Sequence, residues 1–122
     1  DNEHITDIQT DGIIFSTPAG STAYNMSAGG AIVAPGVQGL SLTAICPYSY
    51  FKSIVVPPES TVTIELLKPR SNAVAIVDGR HYIPLKPLSI IEATVSVNRA
   101  NFIRFKPFYT RIRRRIFHLR TE

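Results

Sequence analysis

Short apolar runs, separated by residues that favour turns, dominate the middle of the chain. In residues 61–67 apolar and polar side chains alternate, which predicts a strand with one buried face and one face in solvent. Pairs such as Pro35-Gly36 and Pro57-Pro58 lie between the runs and are typical of turns. The pattern predicts strands at residues 13–16, 40–45, 54–56, 61–67, 73–77, 80–83 and 88–97.

The pair Asp78-Gly79 lies between two of these predicted strands. It is typical of a two-residue hairpin turn, because both residues tolerate positive φ. Nine prolines and closely spaced strands argue against a helical bundle. The sequence therefore predicts a mainly β fold, a sandwich-like domain of two sheets with one short helix and one C-terminal amphipathic helix.

Two segments outside the strands have patterns typical of helices. Residues 22–28 form a short stretch that ends at Gly29-Gly30, and glycine commonly terminates helices. Residues 108–119 have an apolar stripe with arginines between its members, which predicts an amphipathic helix that needs a partner surface. The stripe consists of Phe108, Ile112, Ile116 and Leu119.

Charge is distributed unevenly along the chain, although the net charge is only +4. Residues 1–51 carry −4 and contain no lysine or arginine, residues 52–98 carry +1, and residues 99–122 carry +7. An arginine cluster in the last segment is either a nucleic-acid patch or the solvated face of the helix. We favour the solvated face, because the rest of the chain offers no extended basic surface, and we expect no nucleic-acid partner. The cluster consists of Arg111, Arg113, Arg114 and Arg115.

The 122 residues, 44% of them hydrophobic, are enough for one domain with its own core. The single cysteine, Cys46, excludes an internal disulfide and is typical of a reducing, intracellular setting, so we expect the cytoplasm. His4, His81 and His118 lack ligand spacing, which predicts no metal site. No apolar run approaches the roughly 20 residues of a membrane span, and we expect no membrane partner. Because the first residue is Asp1, we interpret the chain as a processed product or as part of a longer protein.

The residues with the clearest chemistry are concentrated in positions 11–30. A predicted buried strand runs into a turn set by Pro18 and Gly20 and then into the short helix. Hydroxyl groups and the free N–H groups at a helix start suit ribose and phosphate oxygens, and Tyr24 offers a ring for stacking on a flat heterocycle. The hydroxyls belong to Ser16, Thr17, Ser21, Thr22 and Ser27. From the spacing alone, an ordinary helix start capped by serine or threonine is the alternative.

The nine residues from Ser16 to Tyr24, Ser-Thr-Pro-Ala-Gly-Ser-Thr-Ala-Tyr, closely resemble the signature of the NAD kinase family. Asp11-Gly12 before them and the run from Ser27 to Gly30 after them extend the likeness. Other segments similar to the family are residues 42–47, 54–57, 77–79 and 105–112. The resemblance therefore covers nearly the whole chain, and its nine-residue core is long and specific.

The resemblance implies an enzyme that uses ATP, or polyphosphate, with Mg²⁺ to phosphorylate the 2′-hydroxyl of the adenosine ribose of NAD. The family's catalytic aspartate belongs to a Gly-Gly-Asp-Gly motif in an upstream α/β domain, and this motif does not occur in the chain. The resemblance therefore implies no catalytic residue here, and we expect the chain to be inactive by itself. It also implies an NAD-binding β domain at residues 1–104, a segment 105–122 that packs on the absent N-terminal catalytic domain, and a homo-oligomer.

The family's motif implies which residues line the NAD pocket. They are Asp11, Thr22, Ala23, Tyr24, Ser27 and Cys46. Asp11 has the alternative of a turn residue before a strand. Cys46 lies on a strand that would reach a ligand, either its own or one bound by a neighbouring subunit, and has the alternative of a small buried apolar residue. Asp78 is either a hairpin residue or a group on the phosphate side of the ligand.

Several residues depart from the family's pattern. Ala19 stands where a hydroxyl residue is common, and residues 47–52 differ from the commoner Pro-His-Ser-Leu-Ser run. Asn2-Glu3 matches an Asn-Glu pair that grips the dinucleotide in the family, but it lies too close to Asp11, and we interpret residues 1–3 as a turn. Two other functions stay open: a non-enzymatic binding or oligomerisation module, and a lipid kinase of related fold. Lipid kinases lack the Thr-Ala-Tyr sequence that this chain has at residues 22–24.

Overall fold

A computed structural model describes residues 3–116 of the chain. These residues form seven strands and two α-helices, with one turn of 3₁₀ helix, Gly20–Thr22, before the first helix. The strands are β1 Gly12–Ser16, β2 Leu40–Ile45, β3 Ser53–Val56, β4 Val62–Glu65, β5 Ala73–Val77, β6 His81–Leu85 and β7 Ile90–Ala93. The helices are α1 Tyr24–Ser27 and α2 Phe108–Ile116. Asp1 and Asn2 of the predicted turn, and Leu119 of the predicted stripe, lie outside the described residues.

The first of two structural units contains a three-stranded antiparallel sheet in the order β1-β2-β3. It comprises the described residues 3–59 and 95–116. Strand β2 is central, and its first five residues are buried. Successive side chains of a strand point to opposite faces, so β2 has one apolar and one polar face. The apolar face carries Leu40, Leu42 and Ala44, and the polar face carries Ser41 and Thr43.

The second unit, Ser60–Thr94, contains two antiparallel sheets of two strands each, β4-β7 and β5-β6. In β4, Val62 is buried and Ile64 is partly buried, whereas Thr63 between them is exposed. This confirms the alternation that the sequence predicts for the strand. The paired strand is shorter than the predicted one and ends at Glu65.

The hairpin between β5 and β6 turns where the sequence predicts it. Asp78 and Gly79 have φ angles of 49° and 68°, the left-handed values that this pair tolerates. The N–H of Arg80 donates to the carbonyl of Val77 at 3.0 Å and closes the turn. The strand register pairs Val77 with His81, so three residues rather than two separate the paired ends.

The helix α1 ends at glycine, as predicted. Gly29 has a φ of 86°, its N–H donates to the carbonyl of Met26 at 3.0 Å, and the N–H of Gly30 donates to the carbonyl of Asn25 at 2.8 Å. This pair of bonds satisfies the last carbonyls of the helix. The helix begins later than predicted, because Ala23 has a non-helical backbone that separates α1 from the 3₁₀ turn.

The mainly β fold class is confirmed, with a short helix after the predicted loop and a second helix towards the C-terminus. The strands fall into three hydrogen-bonded sheets in the described part of the chain. The largest difference lies at residues 88–97, where only Ile90–Ala93 form a strand. Leu88 has a φ of 65°, which is incompatible with extended structure. Between residues 3 and 116, no helix is long and apolar enough to cross a bilayer.

Candidate functional site

Residues 16–30, which we call the signature segment, leave β1 and run through α1 towards β2. The chain turns at Pro18, where the N–H of Gly20 donates to the hydroxyl of Thr17 at 3.3 Å. The N–H of Ser21 donates to the carbonyl of Pro18, also at 3.3 Å. These bonds form the tight turn that Pro18 and Gly20 predict.

Two of the hydroxyl groups that we expected to suit a ligand are buried inside the protein. Ser21 has no exposed surface, and its hydroxyl donates to the carbonyl of Pro18 at 2.7 Å and accepts the N–H of Val33 at 3.0 Å. Ser16 is also buried, and its hydroxyl donates to the carbonyl of Thr17 at 3.0 Å. Because both hydroxyls already have partners within the protein, we expect them to support the segment rather than to contact a ligand.

Four predicted ligand residues lie on the outer side of the signature segment. Thr22 is partly buried, and Ala23, Tyr24 and Ser27 are exposed. Tyr24 is 62% exposed, although an aromatic side chain gains most from burial. An exposed ring close to two hydroxyl groups can stack on a heterocycle while the hydroxyls bond to sugar or phosphate oxygens.

The residue that holds the segment in place, Asn25, was missed by sequence reasoning. It is 1% exposed, and its side-chain amide bonds to Thr43 on the polar face of β2. The alternation of hydroxyl residues in β2, Ser41 and Thr43, was the available signal, because a buried polar face needs a polar partner.

Asp11 and Cys46 lie side by side at the opposite end of β1. The N–H of Asp11 donates to the carbonyl of Ile45 at 3.0 Å, and Cys46 directly follows Ile45. Both residues are exposed, so the alternative that Cys46 is a small buried residue is wrong. The backbone of Cys46 has a φ of 48°, a left-handed value that takes the chain out of the strand.

The predicted ligand residues therefore form two groups along β1. The strand has five residues, and at about 3.3 Å per residue its ends are roughly 13 Å apart. Helix α1 folds back over the sheet, since Asn25 is hydrogen-bonded to Thr43, the partner of Ile14 in the middle of β1. This shortens the separation between the two groups. Asp78 lies at the hairpin turn of the second unit. Among the described residues, no three His, Cys, Asp or Glu side chains could hold a metal ion.

A groove of about 190 Å³ lies between the signature segment and α2. Thr22 and Met26 line it on the segment's side, and Phe108, Ile112 and Ile116 line it on the helix side. The predicted amphipathic helix is thus present over residues 108–116, and its apolar stripe is partly buried at this groove. Three arginines also line the groove: Arg104, Arg111 and Arg115.

Comparisons with known proteins agree with these features. Residues 1–105 match the family model described as the ATP-NAD kinase C-terminal domain. The chain is 36% identical over 118 residues to the NAD kinase of Methanothermobacter thermautotrophicus, and the match covers 95% of this chain and 42% of that protein. It is 39% identical over 118 residues to the NAD kinase of Methanosphaera stadtmanae, with 95% and 43% covered. The chain therefore spans less than half the length of these relatives.

A solved structure gives the same result. The chain is similar to a crystal structure of yeast NADH kinase complexed with NADH, with a TM-score of 0.61 and 37% sequence identity. The match covers 77% of this chain and 28% of the yeast chain. Sequence and fold are thus similar to the same group of proteins.

Proposed function

Because the chain belongs to the family of ATP-NAD kinase C-terminal domains, we propose that it is the dinucleotide-binding half of an NAD kinase. The complete enzyme transfers a phosphoryl group to the 2′-hydroxyl of the adenosine ribose of NAD and gives NADP. The signature segment carries this proposal, since Tyr24 and Ser27 are open to solvent while buried side chains hold the segment to the sheet. The relatives named above are NAD and NADH kinases, which does not favour a lipid kinase or a module without a catalytic role.

The exposed groups of the signature segment suit a dinucleotide. The ring of Tyr24 would stack on a heterocycle, and the hydroxyls of Thr22 and Ser27 would bond to ribose or phosphate oxygens, with Ala23 contributing backbone groups. The first 51 residues contain no lysine or arginine. The signature segment itself would therefore offer neutral donors, and the positive charge beside it comes from Arg104, Arg111 and Arg115 of the groove.

The remaining predicted ligand residues have supporting roles in this proposal. Asp11 would accept hydrogen bonds at the edge of the ligand, and Cys46, exposed beside it, would contact a ligand of its own or of a neighbouring subunit. The adjacency of these two residues at one end of the β1–β2 ladder supports a shared contact. Asp78 would approach the phosphate side of the ligand only in the complete enzyme.

The proposal extends to the parts that lie outside the chain. An N-terminal α/β domain would supply the catalytic aspartate, and residues 105–122 would pack on it, leaving residues 1–104 as the NAD-binding domain. ATP or polyphosphate with Mg²⁺ would be the donor, and the enzyme would act as a homo-oligomer in the cytoplasm.

Assays of the full-length protein that contains this chain test the proposed function. With NAD, ATP and Mg²⁺ we expect NADP to form at about 1 per second or faster, as is usual for kinases. Replacing ATP by polyphosphate, or NAD by NADH, identifies the donor and the acceptor. Tight binding of NAD without formation of NADP would support a binding module instead.

In the full-length enzyme, Tyr24→Ala should weaken NAD binding more than Tyr24→Phe, because stacking rather than the hydroxyl is the main contact. Stacking of a base on an aromatic ring contributes roughly 1–3 kcal/mol, so KM for NAD should rise about tenfold. Tyr82→Ala is the matched control, since Tyr82 is 64% exposed but lies in β6 of the second unit. Equal effects of Ala and Phe at position 24 would assign the contact to the hydroxyl.

Helix α2 should exchange its amide hydrogens rapidly in the isolated chain. It has nine residues, its stripe is only partly buried, and a helix of this length is marginal without tertiary packing. We expect the amides of Ile112 and Ile116 to exchange at least about 100-fold faster than those of Leu42 in β2, and to become protected in the full-length protein. Strong protection of these two amides in a monomeric isolated chain would contradict this expectation. It would mean that the groove beside the signature segment is by itself a sufficient docking surface for α2.

A further inference from the structure

The helix α1 is attached to the sheet through one buried residue, and that residue is polar. Asn25 is 1% exposed and is the only buried residue among the four of Tyr24–Ser27. A helix of four residues has too few hydrogen bonds to be stable by itself, and no side chain caps its start. The orientation of α1 must therefore come from tertiary contacts, chiefly those of Asn25.

The side-chain amide of Asn25 makes four hydrogen bonds. Its Nδ2 donates to the carbonyl oxygens of Ser21 and Ala31, both at 3.0 Å. Its Oδ1 accepts from the Thr43 hydroxyl at 2.6 Å and from the Ser41 hydroxyl at 3.4 Å. Two donated and two accepted bonds are the full capacity of an amide. Asn25 thus joins the 3₁₀ turn, the segment after α1 and the polar face of β2 at one point.

The surroundings of Asn25 are closely packed. Thr43 has no exposed surface, and its hydroxyl also lies 2.9 Å from the hydroxyl of Ser53 in β3. Gly30 lies against this pair, and a β-carbon there would overlap the Asn25 amide oxygen and the Thr43 hydroxyl. Hydrogen bonds require a narrow range of distances and angles, whereas apolar contacts are non-directional. The network therefore fixes α1 more closely than apolar packing of the same area would.

We propose that Asn25 is a positioning residue of the dinucleotide site, an inference that rests on the proposed function. Asn25 is buried and does not touch the ligand. It sets the direction of the exposed residues on either side of it, Tyr24 and Ser27, which do. The two N–H donors are essential to this role, because they face backbone carbonyls that no other group reaches in the described structure.

Asn25→Asp in the full-length enzyme tests the inference. Aspartate keeps the shape of the side chain and an acceptor for Thr43, but it replaces the two donors by an oxygen that faces the carbonyls of Ser21 and Ala31. We expect KM and Kd for NAD to rise about tenfold or more. The kcat at saturating NAD should change little, because the substitution acts on binding geometry rather than on the transferred phosphoryl group.

Thr43 offers an independent pair of variants, which decides the question if Asn25→Asp does not fold. Thr43→Val keeps the branched shape but removes the hydroxyl that donates to Oδ1, and KM for NAD should rise in the same direction. Thr43→Ser keeps the hydroxyl and should have a KM close to that of the unmodified enzyme. A difference between Val and Ser at this position assigns the effect to the hydrogen bond.

Val62→Ala is the control for a general loss of stability. Val62 is a buried core residue of β4 in the second unit, away from the network in sequence and in hydrogen bonding. Its truncation should lower the melting temperature and leave KM for NAD unchanged. For each variant, the change in KM for NAD is compared with the loss of melting temperature, which separates an effect on binding from a general loss of stability.

Two results would contradict the inference, and they can be distinguished from each other. If Asn25→Asp and Thr43→Val raise KM no more than Val62→Ala does, the network belongs to the fold alone and has no positioning role. If the unmodified full-length protein binds no NAD, the proposed function fails, and the inference fails with it. A raised KM in both network variants with the Val62→Ala value unchanged supports the positioning role.

Discussion

The 122-residue chain, purified by itself, is expected to form no NADP from NAD, ATP and Mg²⁺. It contains no Gly-Gly-Asp-Gly motif and spans only 42% of the length of the NAD kinase of Methanothermobacter thermautotrophicus. Phosphoryl transfer depends almost entirely on positioning the γ-phosphate and neutralising its charge, together with a base for the attacking hydroxyl. Without those groups the turnover number should fall from the roughly 1–100 per second that is typical of kinases to the background rate.

A coupled assay for NADP measures this result, with the full-length protein as the positive control. Separate purification of the upstream part, followed by mixing with the chain, tests whether the two parts reassemble. Turnover of about 1 per second by the chain alone would mean that the catalytic base lies within these residues. Such a result would also remove the need for an N-terminal domain in the reaction.

Gly30→Ala is expected to be the most destabilising of the glycine-to-alanine substitutions in the signature segment. The added β-carbon would overlap the Asn25 amide oxygen and the Thr43 hydroxyl, and these atoms are bonded to each other. Overpacking costs about 1–3 kcal/mol, and breaking a buried hydrogen bond leaves further groups unsatisfied at a similar cost. We expect a loss of about 3 kcal/mol in the free energy of unfolding, measured by urea denaturation.

Two other glycines provide graded controls for this substitution. Gly36 has nothing within 4 Å of the position of an added β-carbon, so Gly36→Ala should change stability by less than about 0.5 kcal/mol. Gly29 is equally open but has a φ of 86°, and Gly29→Ala should cost about 1 kcal/mol from backbone strain alone. A loss for Gly30→Ala no greater than that for Gly29→Ala would mean that the network shifts to accommodate the methyl.

Much of the local structure of this domain is predictable from the sequence, because it is determined by neighbouring residues. The turn at Asp78 and Gly79 follows from their tolerance of positive φ, and the end of α1 follows from Gly29. The alternation in β4 places Val62 inside because period-two patterns have only one buried face. The exact strand ends were less predictable, since the left-handed backbone at Leu88 has no sequence signal of this kind.

The candidate site was predictable in composition but not in orientation. The motif indicated which hydroxyl residues cluster, yet it did not tell that Ser21 is internal and Ser27 is exposed. That distinction depends on how α1 packs over β2, and this in turn depends on Asn25 and Thr43, which are 18 positions apart in the sequence. Pairing of polar groups across such distances leaves no local periodicity that a single sequence could reveal.

The hydrogen bonds that join Asn25 to the hydroxyls of Ser41 and Thr43 also restrict which substitutions this domain can accept during evolution. Replacing the amide alone leaves two hydroxyls and two carbonyls with fewer partners, and each buried unsatisfied group costs about 1–3 kcal/mol. Replacing the whole set by apolar residues of similar shape would remove both hydroxyls, but the carbonyls of Ser21 and Ala31 belong to the backbone and would still lose their donors. Apolar substitutions at positions 41 and 43 therefore do not offset the loss of the amide, and position 25 should stay asparagine in descendants of this sequence, with position 30 confined to glycine while the amide is present.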